Sequence, residues 1–447
     1  MKYSEAVDFL DGKVVLGVKP SLDRIKAACR QMDEPQTAYH AIQITGTNGK
    51  TSVAQMMAAV LRACGYKVGV FTSPHLETVR ERIVVNGKLI PASSLAQIMT
   101  EIRPSIEKAE KEAGEALTYF EVITAAAFQY FKREAVDVAV LEVGMGGRWD
   151  STNVVDCEVA VITNVDIDHV NELGHSREEI AGEKVGIIKE GCVLVTGEAN
   201  RGILAIMAQR CEEVSAEMRL FGRDFRLEYQ VPYRVRWETP AQIISVRGLE
   251  GKEFKDIKLP LIGKHQAVNA ACAIAACQAY TDPRGTTVPE TYREALESCG
   301  VPGRMEVISE RPPVITDGAH NVLGMDRLAA ALTGEFDYEY LVVVVAILED
   351  KNARGMLEVL GAIADEVIVT ENRSARSIAA PRLGTYCRMQ GIKHQVEPDF
   401  SKAMKLAYNS AAGRKALICV TGSLFTVSEA RIFFRHQKAS REMRQDR

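Results

Sequence analysis

Residues 41–61, "AIQITGTNGKTSVAQMMAAVL", constrain the fold most, because an apolar run passes through a glycine turn into an amphipathic segment. Residues 41–45 have the length and composition of a buried strand. After the turn, apolar residues recur at the spacing of one helix face, at Val53, Met56, Met57, Val60, Leu61 and Cys64. Gly65 then stands where a helix commonly ends. A strand that feeds a helix through a short turn predicts an α/β sheet.

The turn 46–50 has the composition of a phosphate-binding loop. Free backbone N–H groups and the positive end of the helix dipole meet there, and glycine lets the backbone approach an anion. Lys50 adds a positive charge, while Thr51 or Ser52 offers a hydroxyl group to a magnesium ion. The spacing departs from the common P-loop, since Ile44 stands where that motif has its first glycine. The alternative is a glycine turn with an incidental lysine, which the flanking strand and helix disfavour.

Composition indicates an ordinary globular protein of two or three domains. The chain has 447 residues, of which 47% are hydrophobic and 26% are charged. Its net charge of −4 predicts no general attraction to nucleic acid or to anionic membranes. We expect a cytoplasmic protein, because no apolar run reaches the length of a membrane span and residues 1–13 lack the apolar core of a signal peptide. The ten cysteines form no C-x-x-C pair and are interpreted as free thiols in a reducing compartment.

Alternating strand and helix patterns predict an α/β fold with two domains. Strands are predicted at 41–45, 68–72, 136–143, 159–165, 192–196, 340–348, 366–370 and 416–421. Continuous runs such as "YLVVVVAIL" predict parallel strands buried on both faces. Residues 1–298 are predicted to form a P-loop domain with a doubly wound parallel sheet and a small β excursion near 220–260. The glycines and proline of "ESCGVPGR" predict a boundary, so that 299–447 form a smaller Rossmann-like α/β domain.

Polar residues follow three of the predicted strands, at the carboxyl edge where open α/β sheets bind ligands. Glu142 ends one strand, Ser73 follows another, and Asp166, Asp168 and His169 follow a third. A carboxylate beside a phosphate loop can hold Mg²⁺, and a neutral imidazole can complete the shell of the ion. The alternatives are a strand-capping glutamate, a polar loop after the second strand and a structural histidine.

Further candidates lie in a helix and in the second domain. Lys184 falls in the predicted helix "EEIAGEKVGIIK", where composition alone indicates a solvated lysine. Asp317, His320 and Asn321 follow a predicted strand at 313–316, and Arg304 precedes that strand. These groups can face a nucleotide. The alternative is an ordinary turn, since Asp-Gly and Asn are common turn residues.

Several long motifs occur in one order along the chain. They are "GTNGKTS", "FTSPHLETVRERIVVNG", "LEVGMGGRWDSTNVV", "ITNVDIDHVNELG", "GEKVGIIKEG", "LPLIGKHQAVNAACAIA", "VPGRMEVI", "DGAHN" and "VTGSLFTVSEAR". Together they resemble the Mur ligase superfamily, and within it the folylpolyglutamate synthases, including the bifunctional dihydrofolate synthase form. Thr51 and Val322 depart from the folate pattern, which usually has glycine and proline at these positions.

The resemblance implies a role for each matching residue. The implied phosphate cradle is Thr47, Asn48, Gly49, Lys50, Thr51 and Ser52, and the implied nucleotide contacts are Asn269, Arg304 and Asp317. The implied magnesium ligands, for two ions, are Ser73, Glu142, His169 and a carbamylated Lys184. The implied catalytic residues are Lys50, Lys184 and His320, the last of them near the transferred phosphate.

The implied reaction is ATP-dependent ligation of L-glutamate to a folate, and to dihydropteroate, through an acyl phosphate, with ADP and phosphate as products. We expect a monomer that acts on these small molecules, with no nucleic-acid or membrane partner. Two alternatives stay open: another Mur-type amino-acid ligase with a non-folate carboxylate acceptor, and a nucleotide-binding module without catalysis. The intact set of Glu142, His169, Lys184 and His320 favours catalysis. A ligase also differs from a nucleotide-binding module in its ATP turnover, which needs both co-substrates.

Overall fold

The computed structural model describes residues 1–14, 17, 19–233 and 241–445. The chain divides into two compact units. The first comprises Met1–Tyr229, Ile244–Ile257 and Val268–Cys299, and the second comprises Gln230–Ile243, Lys258–Ala267 and Gly300–Arg447. The last crossing between the units along the chain therefore falls between Cys299 and Gly300. Within the described ranges, no helix combines the length and the apolarity needed to cross a membrane.

Eight strands of the first unit form one sheet. They are β1 His40–Thr45, β2 Val68–Phe71, β3 Ile83–Val85, β4 Lys88–Leu89, β5 Val138–Glu142, β6 Val159–Ile162, β7 Val193–Thr196 and β8 Glu217–Leu220. Their order in the sheet is β4-β3-β2-β5-β1-β6-β7-β8. The neighbours in the series β2-β5-β1-β6-β7-β8 pair parallel, whereas β3 pairs antiparallel with both β2 and β4. β1 thus lies between two parallel neighbours. The turn after β1 opens at the carboxyl edge between the ends of β5 and β6.

Ten helices precede residue 300. They are α1 Tyr3–Asp11, α2 Asp23–Gln31, α3 Lys50–Ala63, α4 Ala92–Ala113, α5 Tyr119–Arg133, α6 Val170–Leu173, α7 Arg177–Lys184, α8 Arg201–Glu213, α9 Lys264–Thr281 and α10 Pro289–Glu297, counted over the described part of the chain. α3 contacts β1, β2 and β5, and its predicted apolar face is buried from Val53 to Leu61. Gly65 follows the end of α3 with a left-handed φ of +94°, which confirms the predicted helix stop.

A small separate sheet lies where the sequence predicts a β excursion. Its strands are β9 Arg226–Tyr233, β10 Ala241–Arg247 and β11 Glu253–Leu259, in the order β11-β10-β9. Residues 234–240, which fall within the predicted excursion, lie outside the described residues.

The second unit has a six-stranded sheet. Its strands are β12 Glu306–Glu310, β13 Pro313–Thr316, β14 Tyr340–Val345, β15 Glu366–Val369, β16 His394–Val396 and β17 Ala416–Thr421. The order is β12-β13-β17-β14-β15-β16, with only the edge strand β12 antiparallel. The helices that follow β13 are α11 Val322–Glu335, α12 Ala353–Gly361, α13 Ala380–Met389, α14 Phe400–Ala411 and α15 Leu424–Gln445. Val343 and Val345 pack into one core cluster while Val342 and Val344 pack into another, which explains the unbroken apolar run.

The predicted α/β class with two largely parallel sheets is confirmed, but most strand predictions are too long. The strand predicted at 136–143 spans Val138–Glu142, and two others extend three residues beyond the observed end. The strand predicted at 159–165 ends at Ile162, and the one predicted at 340–348 ends at Val345. In the first case, residues 163–166 leave the sheet because their polar groups bind the turn after β1. In the second, the Ala346 carbonyl accepts a hydrogen bond from the Thr426 hydroxyl at 3.1 Å.

One buried ion pair joins α2 to α5. The side chains of Arg24 and Glu121 are 5% and 3% exposed, and Nε of Arg24 lies 3.0 and 3.1 Å from the two carboxylate oxygens. Arg24 also donates to the Lys19 carbonyl at 2.7 Å, and the Glu121 carboxylate accepts from the Thr118 N–H at 2.7 Å. Because both charges are removed from water, each depends on the other for compensation.

We expect Arg24→Met to lower the free energy of unfolding by about 3 kcal/mol, because Glu121 would stay buried without its countercharge. Urea denaturation of the intact chain measures the change. The control is Arg103→Met, since Arg103 pairs with Glu107 on an exposed helix face and should contribute much less. The double variant Arg24→Met/Glu121→Gln should recover part of the loss. Equal losses in the Arg24 and Arg103 variants would contradict the assignment.

Candidate active site

Two glycines shape the turn between β1 and α3, and each makes room for a side chain from elsewhere in the first unit. Gly46 has a φ of +145°, and a Cβ placed there would lie 1.9 Å from the Thr163 hydroxyl oxygen. Gly49 precedes α3 with a φ of +91°, and a Cβ there would lie 2.7 Å from the amide oxygen of Asn269. The turn therefore requires glycine for close packing as well as for backbone conformation. Asn269, a predicted nucleotide contact, lies directly against the predicted phosphate loop.

The first turn of α3 places a cation and a buried hydroxyl group at this loop. Nζ of Lys50 lies 2.9 Å from the Gly46 carbonyl oxygen and 3.3 Å from that of Thr47. The ammonium group thus lies beside the backbone that would surround a phosphate. The Ser52 hydroxyl is buried and has no hydrogen-bond partner among the described residues. Since buried polar groups are usually satisfied, Ser52 suits a ligand that supplies its own oxygen atoms.

Three predicted site residues from three separate segments meet at Glu142. This residue ends β5 and is 1% exposed. Its carboxylate accepts a hydrogen bond from the Thr51 hydroxyl at 2.9 Å and one from the Ser73 backbone N–H at 3.3 Å. The alternative of a surface glutamate that caps a strand is therefore wrong. A carboxylate buried to this degree needs a countercharge or a metal ion.

A buried arginine supplies positive charge near that carboxylate. Arg82 interacts electrostatically with Glu142, and its guanidinium carbon lies 5.3 Å from the centre of the Tyr119 ring. Its Nε donates to Nδ1 of His75 at 2.9 Å, so His75 acts there as a neutral acceptor. Burial, reinforced by the Arg82 charge, lowers the pKa of His75 to about 4. His75 is therefore uncharged at neutral pH and leaves the positive charge to Arg82.

Lys184 and His169 lie in very different surroundings. Lys184 ends α7 and is 3% exposed, so the solvated lysine that composition indicates is wrong. Burial and then the nearby Lys50 charge lower the pKa of the Lys184 amine to about 7, against the opposing effect of Asp168 and Asp150. His169 is exposed and precedes the short helix α6 with a left-handed φ of +52°. Lys184 and Lys50 are thus close enough for the charge of Lys50 to affect that of Lys184.

Asp150 lies in the glycine-rich turn beside Glu142, and its role there was not predicted from the sequence. Its buried carboxylate accepts from the N–H groups of Gly144, Met145 and Thr152 at 2.9, 3.1 and 3.0 Å, and so fixes the glycine-rich turn after Glu142. Burial raises the pKa of Asp150, while these hydrogen bonds oppose the rise. The available signal was an aspartate within a glycine-rich turn, since Asp side chains commonly accept from N–H groups two residues ahead.

The second unit gathers its own predicted residues at the end of β13. The Asp317 carboxylate accepts from the Met305 N–H at 3.0 Å and the Ala319 N–H at 2.9 Å, and burial raises its pKa while Arg304 opposes the rise. His320 places Nδ1 2.9 Å from the Gly318 carbonyl oxygen. Asn321, by contrast, caps α11 by accepting from the Gly324 N–H at 2.8 Å, which is the structural use of a turn residue.

The donor set at Glu142 suits a hard cation such as Mg²⁺. The described part of the chain holds no group of three or more His, Cys, Asp or Glu side chains that could bind a metal ion. A carboxylate and the hydroxyls of Thr51 and Ser73 are nevertheless oxygen ligands of the kind that Mg²⁺ prefers. An ion here would take its remaining ligands from phosphate, water or a modified Lys184.

Comparison with known proteins identifies the family. The Mur ligase middle domain matches residues 44–277, and the glutamate ligase domain of Mur ligases matches residues 303–424. The chain belongs to the Mur ligase family. The resemblance inferred from the sequence motifs is thereby confirmed. The middle-domain match contains most of the eight-stranded sheet, and the glutamate-ligase match contains the six-stranded sheet.

Its relatives within the Mur ligase family include folate enzymes. The dihydrofolate synthase/folylpolyglutamate synthase of Bacillus subtilis is 33% identical over 431 residues, which cover 96% of this chain and 98% of the relative. The Mycobacterium tuberculosis protein of the same name is 39% identical over 376 residues, with coverages of 81% and 76%.

Solved structures of the family agree with the fold. Mycobacterium tuberculosis folylpolyglutamate synthase complexed with ADP has a TM-score of 0.90 and 36% sequence identity, and the match covers 97% of this chain and 98% of that structure. Escherichia coli FolC in complex with DHPP and ADP has a TM-score of 0.83 and 27% identity, with coverages of 98% and 99%.

We expect Gly49→Ala to weaken ADP binding by about tenfold or more, because the added Cβ would meet the Asn269 amide while the backbone holds a left-handed φ. Titration calorimetry with ADP measures the loss. Gly65→Ala is the matched control, since Gly65 has a φ of +94° at the other end of α3 but no atom within 4 Å of its added Cβ. Both variants should lose some stability, and only Gly49→Ala should lose affinity. Equal affinities would refute the crowding argument.

Proposed function

We propose that this chain is an ATP-dependent ligase that joins L-glutamate to a folate and to dihydropteroate. The observation that carries the proposal is the meeting of Thr51, Ser73 and a buried Glu142 beside the Lys50 loop, in a chain whose relatives over nearly its full length bear the name dihydrofolate synthase/folylpolyglutamate synthase. We also propose that the enzyme is a cytoplasmic monomer. The net charge of −4 supports the further proposal that it has no nucleic-acid or membrane partner.

The reaction requires two steps at one carboxylate. A substrate carboxylate oxygen attacks the γ-phosphorus of ATP, the bond to the β–γ bridging oxygen breaks, and an acyl phosphate and ADP result. The uncharged amine of glutamate then attacks the acyl carbon, a proton leaves the nitrogen, and phosphate departs from the tetrahedral intermediate. Phosphoryl transfer depends chiefly on positioning and on neutralisation of charge, so no covalent nucleophile from the protein is needed.

In the first unit, the chain would supply the phosphate-binding machinery. The backbone from Thr47 to Ser52 would surround the β- and γ-phosphates, and Lys50 would neutralise charge that moves to the bridging oxygen. Glu142, with the Thr51 and Ser73 hydroxyls, would hold Mg²⁺, which when bound polarises the γ-phosphate. Asn269 is proposed to contact the nucleotide from its place against Gly49.

Lys184 is proposed to be carbamylated. Carbon dioxide reacts with an uncharged amine, and a lysine whose pKa is about 7 is largely uncharged just above neutral pH. The carbamate would replace a cation near Lys50 by an anion, which together with His169 would bind a second Mg²⁺.

In the second unit, Arg304 and Asp317 are proposed to contact the nucleotide, and His320 the transferred phosphate. The hydrogen bonds from Met305 and Ala319 fix the Asp317 carboxylate, which supports its role as an oriented acceptor.

The test is phosphate release from ATP by the purified chain with Mg²⁺ and L-glutamate, with dihydropteroate in one arm and tetrahydrofolate in the other. We expect turnover in both arms, each yielding a product heavier by one glutamyl residue in mass spectrometry. Turnover with tetrahydrofolate alone would restrict the enzyme to polyglutamylation. Silence in both arms with intact ATP binding would contradict the folate proposal and favour a Mur-type ligase with another acceptor, consistent with the departures at Thr51 and Val322.

A pair of variants ties that activity to the site. Glu142→Gln keeps the shape of the side chain and removes its charge, so ligation should fall by about 100-fold or more. Glu158→Gln is the control, since Glu158 precedes β6 at the opposite edge of the same sheet and is 38% exposed. Near-normal ligation by Glu142→Gln would refute the metal assignment.

The carbamate makes activity depend on dissolved CO₂ and on pH. Burial lowers the Lys184 pKa from 10.5 to about 7, so the uncharged amine gains population as pH rises through 7 rather than through 10.5. We therefore expect that removal of CO₂ lowers activity and that, at equal concentrations of dissolved CO₂, activity returns faster at about pH 8 than at about pH 6.

Carbon-13 NMR with labelled bicarbonate checks the site directly. A carbamate signal should be present in the wild type and in Lys189→Met, whose lysine is only partly buried, and missing in Lys184→Met. A wild-type enzyme with full activity and no such signal would contradict the carbamate.

A further inference from the structure

The segment 163–166, directly after β6, holds the phosphate loop from one side. The Asn164 carbonyl accepts from the Thr47 N–H at 2.9 Å, and the Thr47 hydroxyl both donates to the Asp166 carbonyl at 3.0 Å and accepts from the Asp166 N–H at 2.9 Å. The Thr163 hydroxyl donates to the Asn48 carbonyl at 2.7 Å. The loop backbone is thus fixed by groups that belong to the neighbouring strand end.

Asn164 uses both halves of its side-chain amide on one loop residue. Its Nδ2 donates to the Asn48 carbonyl at 2.8 Å, and its Oδ1 accepts from the Asn48 N–H at 3.2 Å. A reversed amide would oppose oxygen to oxygen and N–H to N–H, so the hydrogen bonds determine its orientation. Only an amide side chain of this length satisfies both groups, because aspartate lacks the donor and leucine lacks both.

The residue that follows Asn48 makes this contact important for the loop. Gly49 has a left-handed backbone, and its peptide with Asn48 sets the direction of the N–H groups at the start of α3. The Asn48 carbonyl belongs to that peptide and the Asn48 N–H to the peptide before it, so the two hydrogen bonds hold both peptides that flank Asn48 against rotation. These two hydrogen bonds from Asn164 to Asn48, here called the clamp, therefore act on the backbone groups that would bind the anion.

The clamp is itself supported from behind. The Glu198 carboxylate, which follows β7, accepts from the Val165 N–H at 2.6 Å and from the N–H groups of Ala199 and Asn200 at 2.8 Å each. Glu198 is 8% exposed, so these bonds are shielded from water. Asn164 consequently lies on a segment that is held on both sides and can serve as a rigid support.

We propose that Asn164 is a positioning residue for nucleotide binding, which holds the Asn48 peptide so that the loop presents its N–H groups to phosphate. The inference rests on the proposed ATP-dependent function for its effect on turnover, but its effect on nucleotide affinity is independent of the acceptor. It acts through the loop backbone and not through the substrate carboxylate.

The test compares two isosteric, uncharged substitutions. Asn164→Leu removes both hydrogen bonds to Asn48. The control is Gln278→Met, because buried Gln278 clamps Leu249 in the same way, accepting from its N–H at 2.8 Å and donating to its carbonyl at 3.4 Å. Both variants lose one amide that holds the N–H and carbonyl of a single residue within the first unit, so a general loss of stability should affect both.

We expect Asn164→Leu to weaken ADP binding in calorimetry and to raise KM for ATP, each by about tenfold. KM for L-glutamate should stay within about twofold, and Gln278→Met should bind ADP like the wild type. If Asn164→Leu does not fold, as judged by circular dichroism, Asn164→Ala provides the same test, since it also removes both hydrogen bonds and adds no charge.

The outcomes separate this inference from the proposed function. Wild-type ADP affinity in a folded Asn164 variant would overturn the clamp, whether or not the chain ligates glutamate. Equal losses of affinity in Asn164→Leu and Gln278→Met would also overturn it, because the effect would then be one of stability. Weakened ADP binding specific to Asn164, in a wild type that ligates no folate, would support the clamp and refute the folate reaction.

Discussion

The parallel pairing of β1 with β5 on one side and β6 on the other is the constraint on which the site depends. Ile44 pairs with Glu142, and Thr45 pairs with Ile162, so three strand ends lie level at one edge of the sheet. The turn after β1 therefore emerges between a buried carboxylate and the polar segment that follows β6. A shift of β5 by one residue would turn the Glu142 side chain to the opposite face of the sheet and remove it from Thr51. Packing of the apolar strands thus sets the geometry of the polar groups.

The parts of this arrangement that rest on local pattern could be predicted from the sequence. The helical spacing after Lys50 predicts α3, and an apolar run that stops at Glu142 predicts a carboxylate at the strand end. The role of Asn164 could not be predicted, because the same apolar rule extends β6 too far and the partner, Asn48, is 116 residues away. The burial of Lys184 was equally hidden, since the charged groups near its amine, Lys50, Asp168 and Asp150, come from segments outside α7.

Burial explains why the charges of the first unit are arranged as they are. Arg82 and Lys184 are buried cations, and Glu142 and Asp150 are buried carboxylates of the same region. Burial lowers the pKa of Arg82 and of Lys184 and raises that of Asp150, so in each group it shifts the balance toward the uncharged form, although Arg82 keeps its charge. Substrates and metal ions that bring opposite charges would reverse this tendency. The site is therefore one whose charge state should change when it is loaded.

The scarcity of negative charge in the site affects how a metal ion and a nucleotide should bind to it. Glu142, Thr51 and Ser73 would offer Mg²⁺ one buried carboxylate and two hydroxyl groups, and the described residues hold no group of three or more His, Cys, Asp or Glu side chains that could bind a metal ion. Such a donor set leaves most of the charge of the ion to be balanced by phosphate oxygens, so metal and nucleotide should bind together more tightly than either binds alone. A carbamate on Lys184 would add a further negative charge and would also relieve the repulsion between Lys184 and Lys50. Nucleotide, metal and carbon dioxide would then each favour the binding of the others, which is the behaviour expected of a site built around buried cations.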